Sequence, residues 1–147
     1  MLYFAYAENM DIETLGERSM TFEKVGVGRA RDFRLVFDKP ASDGSGLADL
    51  MDDRGSAVEG VIWDVPESSL ERLDVLAGVD KGHYRRIRVS VQTSRGEVDC
   101  VTYRAAKFRS GLKPSREYLD LIVRGAEAHR LSSDYLTFLR SHDTMRK

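Results

Sequence analysis

The chain has 147 residues, with 23 Lys and Arg against 24 Asp and Glu, and 41% of it is hydrophobic. That length suits one domain with a core of its own, read as 1–147, and the near-balanced charge offers no single-sign field to draw nucleic acid or an anionic membrane. Cys100 is the only cysteine, so no intrachain disulfide forms, and no apolar run approaches the ~20 residues that cross a bilayer. The expectation is a cytoplasmic protein with neither nucleic acid nor membrane as a partner.

Leu2 to Tyr6 is a short apolar run ended by Ala7-Glu8-Asn9, which predicts a buried strand running into a polar turn that carries a carboxylate. DIETLGERS, residues 11–19, predicts a short helix. From Phe22 to Phe37, the residues Val25, Val27, Phe33, Leu35 and Phe37 alternate around Gly26 and Gly28, the pattern of two strands separated by a bend or of one bulged strand. Pro40 ends it. ASDGSGLADLMDDRGS, rich in Ser, Gly and Asp, predicts an irregular loop over 41–56. AVEGVIWDV, residues 57–65, predicts a strand that turns Glu59 away from Val58 and Gly60 toward solvent.

In PESSLERLDVLAG, Pro66 reads as a first-turn residue, Leu70, Leu73 and Leu76 recur at helical spacing, and Gly78 stands where a C′ glycine ends a helix. Strands over 83–93 and 97–106 flank Ser94-Arg95-Gly96 as a hairpin, with Cys100 inside the second. Ser115 caps a longer helix with Tyr118, Ile122 and Ala126 on one stripe, and SDYLTFLRSH predicts a last short helix. Six or so short strands with helices around them make an α+β fold that suits a small barrel. His83, His129 and His142 are far apart, and no phosphate loop or dinucleotide fingerprint is present, so no metal and no cofactor is expected.

Five stretches taken together carry a resemblance: YFAYAENM at the start, then VEGVIWDV, LDVLAGVDKGHY, VTYRA and PSREYLDLIVRGAEAHRLSSDYL. The set, from residue 2 to about 136, resembles the γ-glutamylcyclotransferase (AIG2-like) family in motif order. The resemblance implies a small mixed β-barrel with flanking helices. It also implies a reaction in which the α-amine of a γ-glutamyl amine or γ-glutamyl amino acid attacks its own γ-carbonyl, giving 5-oxoproline and free amine. The substrate is then a small molecule; the oligomeric state is left unassigned. By match of position, the substrate-binding residues are Tyr3, Phe4, Ala5, Tyr6, Ala7 and Asn9 of the opening strand and turn, with Tyr84, Tyr103 and Tyr118 from later motifs.

At two places the chain departs from that pattern. The family's general acid/base is the Glu of an L-D-x-x-E-G-V stretch, and here the stretch reads LDVLAGV, which puts Ala77 at the catalytic position. A methyl group transfers no proton. The opening turn replaces the family's Gly-Ser by Ala7-Glu8, and an alanine at a left-handed position costs roughly 1–2 kcal/mol. Glu8 is thus a candidate catalytic carboxylate, lost from one wall of the cavity and gained on the other. The alternatives are a solvated turn residue, a partner of the following helix, or a ligand-binding group in a non-catalytic member of the family. Asp74, one turn before Ala77, reads as a substitute base or as a structural carboxylate. Lys107, Arg109 and Lys113 read as solvating charges or as contacts for an anionic leaving portion.

Overall fold

Leu2–Ala5 (β1) carries no charged side chain and is buried along almost its whole length, and such a strand needs a neighbour on each side. The computed structural model, which describes residues 1–18 and 20–145, supplies both. β1 pairs antiparallel with Gly46–Asp64 (β3), Tyr3 facing Trp63, and parallel with Gly96–Ala105 (β5) through Tyr3 and Val101. Glu23–Pro40 (β2) lies against β3 and Tyr84–Thr93 (β4), and the hairpin of β4 with β5 completes a closed mixed barrel ordered β1, β3, β2, β4, β5. Five strands are present among the described residues, two of them long, where six or so short ones were expected.

The stretch from Phe22 to Phe37 resolves as one bulged strand. β2 slips register at Lys24/Gly26, Arg31/Phe33 and Val36/Lys39. The expected irregular loop over 41–56 is corrected, because only 41–45 turns and β3 starts at Gly46. Its acidic residues disguised a half-buried strand. Ala48 and Leu50 face the core, and Asp49 is buried because its Oδ1 accepts the Ala105 N–H at 2.7 Å.

Ile12–Glu17 (α1) starts at Asp11, whose carboxylate accepts the Thr14 N–H at 3.1 Å; Ser19, the last residue of the helix expected there, lies outside the described residues. Glu67–Leu76 (α2) has Pro66 at its N-cap rather than inside its first turn, and Gly78 takes up a left-handed φ of 64° after it, as a C′ glycine does. Arg116–Ala128 (α3) begins at Ser115, which accepts the Tyr118 N–H, and Ser133–Arg140 (α4) follows. Glu59 keeps the face that alternation gives it. It is half-buried rather than exposed, because its carboxylate accepts the N–H and hydroxyl of Ser132 at the head of α4. No described helix is long and apolar enough to cross a membrane.

Candidate active site

The turn after β1 is a 3₁₀ turn over Glu8–Met10, and four contacts from distant parts of the chain hold it. Trp63 Nε1 donates to the Asn9 carbonyl at 2.9 Å, and His129 Nε2 donates to the Met10 carbonyl at 2.8 Å. Arg124 grips both carboxylate oxygens of Asp11 at 2.9 and 2.6 Å, which holds that carboxyl below the usual range. Gly125 lets α3 close on the turn: a Cβ there would stand 2.8 Å from the Met10 Cβ. Ala7 has φ −131°, so this chain does not use the left-handed conformation that only glycine holds cheaply.

The turn borders a cavity of about 130 Å³ lined by Tyr3, Tyr6, Ala7, Glu8, Asn9, Ala77, Tyr84, Tyr103 and Tyr118, residues spread over more than a hundred positions of the chain. Of the residues expected there, Phe4 and Ala5 are not brought to it. Strand alternation accounts for Phe4, which is fully buried with its ring against Tyr6 and next to Gly60 while Tyr3 faces the cavity; Ala5 shares the Tyr3 side of the strand and is buried without lining the cavity. Six further lining residues were not expected at the site: Arg18, Leu47, Ala48, Leu73, Leu76 and Thr102. Leu73 and Leu76 belong to the apolar face that brings Ala77 in. Leu47 and Ala48 sit in the segment misread as loop, and Arg18 was simply a cation after a short helix. Lys107, Arg109 and Lys113 do not line the cavity.

Glu8 is the only carboxylate among the lining residues. About a quarter of its side chain stays accessible, and Arg18 stands 3.9 Å away as its ion-pair partner. Burial raises its pKa, against the lowering pull of Arg18, its own backbone N–H and the Tyr118 hydroxyl. Opposite it, Ala77 presents a methyl group. Asp74 does not line the cavity; Arg86 binds it with two nitrogens and the Tyr103 hydroxyl donates to it at 2.5 Å.

The other phenols are held as firmly. Tyr6 donates to the Tyr103 carbonyl at 2.5 Å, Tyr84 donates to the Ala48 carbonyl at 2.8 Å, and Tyr118 accepts the Ala48 N–H at 3.1 Å. Burial raises the pKa of all five tyrosines well above the ordinary phenol value, so they act here as neutral hydrogen-bonding groups. No described cluster of His, Cys, Asp and Glu could hold a metal ion.

Known proteins share this fold and much of this sequence. The model of the AIG2-like family matches residues 57–139. The γ-glutamylcyclotransferases of Bos taurus and Homo sapiens are 34% and 33% identical over 146 residues, covering 95% of this chain and 77% of each relative. A solved γ-glutamyl cyclotransferase structure superposes with a TM-score of 0.94 at 31% identity, covering all of this chain and 90% of the other. From the motifs, the barrel and these likenesses together, the chain belongs to the AIG2-like, γ-glutamylcyclotransferase family.

Proposed function

We propose that the chain cyclises a γ-glutamyl amine or γ-glutamyl amino acid to 5-oxoproline and free amine, with Glu8 as the acid/base. The observation that carries this reading is the Glu8 carboxylate in the same cavity as Ala77, with a raised pKa. A proton carrier needs reach and a suitable pKa rather than a particular place in the chain. The α-amine nitrogen bonds to the γ-carbonyl carbon and gives its proton to Glu8. As the amide C–N bond breaks, Glu8 returns that proton to the departing amine, and nothing else is consumed.

Positioning supplies much of the rate. The attack is intramolecular, and holding the glutamyl group bent is worth effective molarities up to ~10⁵ M or more. A cavity of about 130 Å³ suits one amino-acid-sized group, so the leaving amine extends outward. Backbone N–H groups of the opening turn are suited to the developing oxyanion.

Ala77 and the pairing of Glu8 with Arg18 support a second reading, a pocket that binds an amino-acid-like ligand without turning it over. Incubation with a panel of γ-glutamyl amines separates the two. Release of amine with matching 5-oxoproline supports the enzyme. Thermal stabilisation by the same compounds with no amine released supports the binding protein.

A further inference from the structure

The hydroxyl groups that wall the cavity are not equivalent, and their committed protons sort the lining groups into an acceptor pole and a donor pole that adjoin where Tyr103 packs against Tyr3 and Glu8 pairs with Arg18. Tyr6, Tyr84 and Tyr103 each donate their only O–H proton to the protein, to the Tyr103 carbonyl, the Ala48 carbonyl and Asp74. What they leave for a ligand is lone pairs. With the Glu8 carboxylate they make a pole of acceptors, suited to an ammonium or amine.

The other pole is built by Asn9. Its Nδ2 donates to the Tyr3 hydroxyl at 3.0 Å, and its Oδ1 accepts from Arg18 Nη1. One buried amide therefore holds a phenol and a guanidinium side by side at the cavity wall. Tyr3 receives a proton from Asn9, and its own O–H has no acceptor among the described residues. Arg18 is the only cation lining the cavity, and its side chain is about 29% accessible. Only one of its five N–H donors is committed to a hydrogen bond among the described residues; Glu8 at 3.9 Å is its ion-pair partner but too far for a second hydrogen bond.

We propose that Arg18 and Tyr3, aligned by Asn9, form a carboxylate-recognising pole, and that Arg18 makes the cavity specific for an α-amino acid head over the same amine without its carboxylate. This rests on the γ-glutamyl reading above. It adds the residue that reads the α-carboxylate and a division of labour: Glu8 faces the amine and Arg18 the acid. Asn9 is a positioning residue. A planar guanidinium is suited to the task because it offers paired donors to the two oxygens of a carboxylate.

The test compares 5-oxo-L-proline with 2-pyrrolidinone, two unreactive rings that differ only by the carboxylate, and reads binding by titration calorimetry. The parent protein is expected to bind 5-oxo-L-proline 10-fold or more tightly than 2-pyrrolidinone. Arg18→Gln is expected to abolish that preference while leaving 2-pyrrolidinone within about 2-fold, and Arg18→Lys, which keeps the charge without the fork, falls between. A purely structural Arg18 weakens both rings equally, and that result overturns the proposal. So does a parent that prefers 2-pyrrolidinone, which would mean that Glu8 itself fills the carboxylate's place. If Arg18→Gln does not fold, the Lys variant decides: a preference undiminished in it overturns the assignment. None of these readouts needs turnover, so a chain that cyclises nothing yet prefers 5-oxo-L-proline through Arg18 refutes the proposed reaction and leaves the carboxylate pole standing.

Discussion

A carboxylate in a small cavity is useful only if something sets its protonation, and at Glu8 the forces oppose one another. Burial favours the neutral acid, while Arg18, the turn N–H and the Tyr118 hydroxyl favour the anion; burial prevails and the pKa is raised. With Glu8 as the proposed base, amine release is expected to fall on acidification with its midpoint above the usual carboxylate range. A pH–rate profile measures this, and a limb at an ordinary carboxylate pKa argues against the role. Asp38 shows the same physics away from the cavity. Burial, and then the hydrogen bond and charge of Asp49, push it up to about 7, and its Oδ1 has no partner among the described residues. Because an unfolded aspartate titrates near ~3.9, the folded state holds the extra proton between about pH 4 and 7. Stability from this group is therefore lost progressively as pH rises from about 4 to 7. This group's contribution to melting temperature is expected to decline between about pH 4 and 7 in the parent and to level off above, and Asp38→Asn to remove that decline. An unchanged slope in the variant would show that Asp38 is not its source.

Elements matter here because a 3₁₀ turn of three residues has too few internal bonds to hold Glu8 still. The rigidity is borrowed: Trp63 from β3, and Arg124, Gly125 and His129 from α3 and its end, fasten the turn from outside. Asp11→Ala removes both the α1 cap and the Arg124 anchor, and is expected to cost about 1–3 kcal/mol in chemical denaturation. Activity in that variant should fall further than the fraction unfolded explains, since the turn itself is released; activity that simply tracks the folded fraction would contradict this. The helices were readable from caps and spacing, such as Ser115 and the leucines of α2, because those signals are local. The start of β3 was not. LADLMDD is strand because its backbone pairs with Phe33 to Lys39 of β2, and its Asp49 is buried because Ala105 supplies an N–H from another strand; no pattern within the segment contains those partners.

At the scale of the molecule, barrel closure explains why the cavity collects residues from both ends of the chain. The parallel contact of Tyr3 with Val101 brings the first and last strands together, and with them Tyr3, Tyr6 and Tyr103. The motif tyrosines, the opening turn and Ala77 were identifiable in the sequence because each sits in a family motif. Phe4 and Ala5 were carried along by adjacency, and alternation in the strand removes Phe4. Arg18 escaped notice because its role exists only through Asn9 and Tyr3, a contact made by tertiary structure. The proposed reaction depends on Glu8 doing the work that Ala77 cannot. The direct test is Glu8→Gln, assayed for amine release from a γ-glutamyl amine and for thermal stabilisation by the same compound. Cyclisation is expected to fall by ~10²- to 10⁴-fold, as for loss of a general acid/base, with stabilisation by ligand largely kept. Activity equal to that of the parent would contradict the account.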